Sequence, residues 1–183
     1  MTTPANHWVP VLSTDSTDTS FTGKKPTATK PSGDGVIDLL SADVGESIGD
    51  QVPDFVVVKP YGTDDNDETF DMRVWGWSFN RSQSIWEPIL IIEVNVQLGD
   101  LDVARPTGGT TYYDADTIVE AKGDTDTVRT VSPANDLSAY MVIDPIGSQM
   151  LEFTFDLTGA AAANALYRTV SVSYTHLTLP TIY

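Results

Sequence analysis

Ile85-Trp86-Glu87-Pro88-Ile89-Leu90-Ile91-Ile92-Glu93-Val94-Asn95-Val96-Gln97-Leu98 is the stretch whose reading decides the fold. Trp86, Leu90, Ile92, Val94, Val96 and Leu98 fall in phase at a spacing of two, and Glu93, Asn95 and Gln97 occupy the positions between. Helical periodicity would scatter those polar residues around the apolar stripe, whereas a strand separates them onto opposite faces. The spacing therefore predicts a long strand over 85–98.

Upstream, Phe70-Asp71-Met72-Arg73-Val74-Trp75-Gly76-Trp77 alternates in the same way. Phe70, Met72 and Val74 share one face, and Asp71, Arg73, Trp75 and Trp77 share the other. The polar loop Asn80-Arg81-Ser82-Gln83-Ser84 joins the two stretches, so they are expected to form a hairpin. Residues 36–40, 54–59, 117–121, 127–131, 139–143, 151–157 and 165–170 also read as short strands, by β-branched content or alternation. Turn chemistry lies between them at Arg105-Pro106-Thr107-Gly108-Gly109, Gly123-Asp124 and Asp144-Pro145-Ile146-Gly147. An alanine-rich run at 159–165 could make one helical turn but is too short to stand alone. Short strands at regular spacing predict an all-β fold, an antiparallel β-sandwich of jelly-roll type, whose strand order one sequence does not reveal.

The two ends read differently from this body. Residues 1–35 are rich in Thr, Ser, Pro, Asp and Gly, with Lys24, Lys25 and Lys30 among them. So few apolar side chains can offset little ordering entropy, which predicts an extended N-terminal arm. The cluster Trp8-Val9-Pro10-Val11-Leu12 is the exception, either docking as a β-like segment or idling as a terminus. At the other end, Val172-Ser173-Tyr174-Thr175-His176-Leu177-Thr178-Leu179-Pro180-Thr181 resembles one reading frame of a transposase-type sequencing adapter, GTC TCT TAT ACA CAT CTG ACG CTG CCG ACG. The flanking Ser171 and Ile182 allow the adapter's neighbouring bases. The expected organisation is an arm over 1–35, one sandwich domain over 36–170, and an adapter-derived tail over 171–183 that does not belong to the natural protein.

Charge and composition exclude several classes of function. The chain carries 26 acidic and 10 basic residues, a net charge of −16, and the tail contributes neither kind. Such a surface repels phosphate backbones and anionic membranes, so neither nucleic acid nor membrane is an expected partner. The absence of cysteine excludes a disulfide framework, thiolate zinc sites and cysteine nucleophiles. Met-Thr-Thr-Pro-Ala-Asn-His-Trp lacks the basic and apolar regions of a secretory signal, and no apolar run is long enough to span a bilayer as a helix.

Catalytic constellations are equally sparse. With His176 assigned to the tail, the one remaining histidine is His7, inside the arm, which argues against a Ser-His-Asp centre. No nucleophile elbow, phosphate-binding glycine loop or His-Glu-x-x-His occurs. Carboxylate pairs are abundant, but a small sandwich seldom builds the deep cleft that glycoside hydrolysis needs. Asp64, Asp65, Asp67 and Glu68 cluster after Tyr61-Gly62-Thr63 and could offer calcium hard oxygen ligands. Their spacing is not that of an EF-hand, and a solvated hairpin loop explains them as well. Asp114, Asp116, Asp124 and Asp126 carry the same two readings. Trp75 and Trp77, with Arg73 on their face, could stack on a sugar or anchor a protein partner. Covered by the arm or another sheet, the same indoles would be core, with Arg73 beside the rings.

The segment from Tyr61-Gly62-Thr63 through Phe70-Asp71-Met72-Arg73-Val74-Trp75-Gly76-Trp77, with Ser132-Pro133-Ala134-Asn135-Asp136 and Ala163-Asn164-Ala165-Leu166-Tyr167-Arg168, loosely resembles uncharacterised tailed-bacteriophage virion proteins from environmental sequencing. The resemblance implies a non-enzymatic structural role in the virion, as a head-decoration or minor capsid component. It implies homo-oligomers or other capsid proteins as partners, and assembly in the host cytoplasm. No catalytic residue comes with it. The alternative from a different class is a carbohydrate-binding or adhesion module that uses Trp75 and Trp77, and that would depend on calcium if the acidic loop takes part.

Overall fold

The computed structural model describes residues 9–13, 23–33, 35–40, 55–62, 69–103, 112–123, 128–131, 139–156 and 168–175. Among these residues the regular structure is entirely β, in ten strands: β1 (Val9–Ser13), β2 (Val36–Asp38), β3 (Phe55–Gly62), β4 (Thr69–Asn80), β5 (Ile85–Val103), β6 (Tyr112–Gly123), β7 (Val128–Val131), β8 (Tyr140–Ile143), β9 (Met150–Asp156) and β10 (Arg168–Thr175). None of the described residues forms a helix long and apolar enough to cross a membrane.

Every strand pair among the described residues is antiparallel. The order is β1-β10-β3-β6-β5-β4-β9-β2, with β8 branching from β3 and β7 pairing with β8. The predicted hairpin is β4–β5, and it is the spine of the molecule. Asn80 faces Ile85 across its end, and Asn80 Oδ1 accepts hydrogen bonds from Ser82 N at 3.0 Å, Ser82 Oγ at 2.7 Å and Gln83 N at 3.3 Å. This side-chain mimic of a backbone turn is what asparagine supplies at loop starts.

One apolar cluster forms the main core. β3 and β8 contribute Val56, Val58, Met141 and Ile143, while β4, β5 and β9 contribute Phe70, Met72, Val74, Ile92, Val94, Val96, Leu98, Leu151, Phe153 and Phe155. Burying side chains of this size contributes about 1.5–3 kcal/mol each before entropy is counted. The rings of Phe70 and Phe155 meet at 5.8 Å with a 57° tilt, an arrangement that suits their quadrupoles.

The long strand departs from strict alternation at one point. Val74 pairs with Ile92 but Trp75 pairs with Leu90, so Ile91 is an extra residue in β5 opposite β4. This bulge reverses the phase. Trp86 and Leu90, expected in line with Ile92 and Val94, instead turn to the opposite face and pack on a second cluster of Trp75, Trp77 and Met150. Ile91 joins Ile92 in the main core.

Two sites in the sheet are constrained, one by backbone conformation and one by close approach. In the turn before β9, Ile146 stands at φ 53° and Gly147 at φ 66°, closed by Ser148 N donating to Pro145 O at 2.9 Å. A β-branched residue rarely adopts that conformation. In β4, a Cβ on Gly76 would lie 2.1 Å from Ser148 Oγ, so the close approach of the β8–β9 turn requires glycine there.

The N-terminal segment is docked where it is described. β1 pairs with β10, with Val11 opposite Val170, and so forms one end of the sheet. Residues 23–33 form a strap whose pairing among the described residues is a bridge between Thr27 and Trp86. β10 runs through residues 171–175, past the boundary expected from the adapter resemblance, with Val172 opposite Val58 and Tyr174 opposite Val56. The alanine-rich run at 159–165 and the turn at 105–109 lie outside the described residues.

Candidate functional site

The polar face of the β5–β4–β9–β2 sheet is where chemistry-bearing side chains gather. Register places them there: Asp71 opposite Asn95 and Arg73 opposite Glu93 on β4 and β5, then Arg73 opposite Thr154 and Trp75 opposite Glu152 on β4 and β9. Cross-strand partners of this kind stand within side-chain reach.

The groups on this face are matched to one another. Arg73 Nε donates to Glu93 Oε2 at 2.6 Å, with the two side chains 13% and 11% exposed. Asn95 Nδ2 donates to Asp71 Oδ1 at 2.7 Å. Trp75 Nε1 donates to Thr154 Oγ1 at 3.2 Å, and Trp77 Nε1 donates to Glu152 Oε2 at 2.8 Å. Lys24 of the strap takes the other oxygen of Glu152 at 2.7 Å. Glu152 therefore ties an indole, a lysine and the strand β9 together, with both carboxylate oxygens engaged. Buried polar groups paired in this way stabilise and specify a sheet.

The strap is fastened at two further points. Thr27 exchanges backbone hydrogen bonds with Trp86, Thr27 N to Trp86 O at 3.0 Å and Trp86 N to Thr27 O at 2.7 Å. Lys30 Nζ reaches Asp38 Oδ2 on β2 at 2.5 Å. The bridge uses the edge of β5 that β6 leaves open, since β6 pairs with β5 from Ile92 onward. Trp86 N points outward to that edge, so the nitrogen of Pro88, two residues along, points outward too and has no hydrogen to donate. Proline thereby limits pairing at this edge to the single bridge.

Of the residues expected to bind, Trp75 and Trp77 are 7% and 4% exposed and belong to the second core cluster. At that exposure little of either indole is open to stack on a sugar; Met150 shares their cluster and Leu90 packs against it. Arg73 lies on the same face, held by Glu93. The expected calcium ligands Asp64, Asp65, Asp67 and Glu68, together with Asp124, Asp126 and His7, lie outside the described residues. Among the described residues, no three His, Asp or Glu side chains are placed to hold one metal ion. Sequence reasoning does not single out Lys24, Glu152 or Thr154. Glu152 and Thr154 are legible as the polar face of β9, but nothing local marks which polar residue will receive an indole N–H from another strand.

Compared with protein-family models, curated proteins and solved structures, the chain matches none.

Proposed function

We propose that this chain is a non-enzymatic structural protein of a bacteriophage particle, a head-decoration or minor capsid component, folded as an antiparallel β-sandwich of jelly-roll type. The observation that carries this reading is the use made of the N-terminal segment. A low-complexity stretch reaches back over the body, adds a strand at the sheet end through β1, and fastens a strap to three different strands. Segments that bind through backbone pairing and scattered ion pairs are tools of assembly, because the same contacts serve within a chain or between neighbours. One core cluster draws side chains from β3 and β8 as well as from β4, β5 and β9, strands set apart in the sheet order, which supports the sandwich reading. The paired condition of Arg73, Glu93 and Glu152 supports a non-catalytic role, since each is engaged in holding strands together.

The test is location. Virus particles from a microbial community that carries the gene are banded by density, treated with protease-free nuclease, digested and searched for peptides of this chain by mass spectrometry. The proposal expects those peptides to co-band with capsid proteins at a fixed ratio. Their confinement to the cellular fraction would overturn it.

A further inference from the structure

Among the described residues, hydrogen bonds and ion pairs join the strap to the body at three places, and each partner lies beyond Gly33 in the chain: Asp38, Trp86 and Glu152. Gly33 stands at φ 113°, and a Cβ on it would meet nothing within 4 Å. Glycine adopts that conformation without steric cost, and the Gly33 carbonyl accepts a hydrogen bond from Val36 N at 3.2 Å, so rotation about its N–Cα bond can swing the segment before it and leave that bond intact. Just past it the chain is pinned, because Phe153 N on β9 donates to Gly35 O at 2.8 Å. The strap thus joins a fastened part of the chain just after Gly33.

Charge is divided at the same position. Residues 24–30 hold three of the chain's ten basic residues, Lys24, Lys25 and Lys30. Residues 1–35 carry three acids (Asp15, Asp18, Asp34) against these three lysines, so the whole net charge of −16 falls on the body. Two such bodies repel each other, and the strap is the cationic element able to lie between them. Its receiving groups are the carboxylates of Glu152 and Asp38 and the backbone of Trp86.

We propose that the segment before Gly33 exchanges as one unit between two copies of this chain, turning at Gly33 to pair β1 with β10 and to seat Lys24 on Glu152, Thr27 on Trp86 and Lys30 on Asp38 of the other copy. Every contact within one chain has an identical counterpart between chains, so exchange conserves them all and replaces a short tether by an association. This inference rests on the reading of the chain as an assembling structural protein and names its partner: a second copy, recognised through an acidic face.

The test uses the full chain in unlabelled and heavy-nitrogen-labelled forms. The two are unfolded together, refolded at high concentration, and treated with a carbodiimide that joins a lysine amine to an adjacent carboxylate. Exchange predicts Lys24–Glu152 and Lys30–Asp38 cross-linked peptides with one light and one heavy partner, in the proportion set by random pairing. Lys24→Ala should abolish the first pair and keep the mixed labels of the second. Cross-links that are only light–light or heavy–heavy would overturn the inference. Same-label cross-links in a chain that still co-bands with virus particles would refute exchange while leaving the structural role intact.

Discussion

Trp77 and Glu152, 75 residues apart in the chain, are joined on the polar face by a hydrogen bond of 2.8 Å from the indole Nε1 to a carboxylate oxygen. The carboxylate's other oxygen is held by Lys24, whose side chain is 28% exposed against 15% for that of Glu152. Glu152→Ala strands a buried indole N–H and should cost about 1–3 kcal/mol. Lys24→Ala loses a half-buried ion pair and should cost less, about 1 kcal/mol or under. Urea unfolding followed by tryptophan fluorescence gives both values, and the reverse ranking would contradict the assignment of Glu152 as the strand-locking residue.

Arg73 and Glu93 make the other tight pair, and both are largely buried. Arg73→Met leaves a carboxylate buried without its main partner, at a cost of about 3–5 kcal/mol. The double change Arg73→Met with Glu93→Leu should recover most of that loss, because the desolvation cost disappears with the charge. A double-mutant cycle measures the coupling. Additive losses would mean that Arg73 serves some purpose other than neutralising Glu93.

Gly76 is expected to be intolerant for a steric reason. An alanine Cβ there would press on Ser148 Oγ at 2.1 Å and Ile91 Cδ1 at 3.0 Å. Overpacking of this kind costs about 1–3 kcal/mol. Adding Ser148→Ala removes the nearest atom and should return part of the stability, although Ser148 Cβ itself stands at 3.0 Å. Thermal unfolding of the single and double variants tests this.

Ile146 should be improvable. At φ 53° before Gly147 at φ 66°, it occupies the first position of a turn that favours Asn-Gly. The left-handed conformation costs an L residue with a branched Cβ about 1–2 kcal/mol. Asn relieves much of this, so Ile146→Asn should raise the unfolding free energy by about 1 kcal/mol. No gain, or a loss, would show that the 47%-exposed side chain has packing value that outweighs the strain.

Much of this architecture is legible in the sequence. Alternation at Ile92, Val94, Val96 and Leu98, and again at Leu151, Phe153 and Phe155, marks buried faces directly, since period two has one physical cause in a sheet. The bulge at Ile91 is not legible. Leu90-Ile91-Ile92 is an unbroken apolar run, and any phase fits it, so the switch that sends Trp86 and Leu90 to the other face has no local signature. The fate of Trp75 and Trp77 depends on long-range partners: Met150 from β9 and the hydrogen-bond acceptors Thr154 and Glu152. The docking of the strap is hidden for a similar reason. Residues 23–33 carry no apolar pattern, and their seat rests on a backbone bridge and two ion pairs whose partners sit on β2, β5 and β9.

The claim that the N-terminal segment is the assembling element is tested most directly by light scattering on size-fractionated protein, comparing the full chain with a form lacking residues 1–33. A discrete oligomer for the full chain and a monomer of unchanged β circular dichroism for the shortened form are the predicted results. Equal mass per particle in both forms, whether monomer or oligomer, would contradict the account.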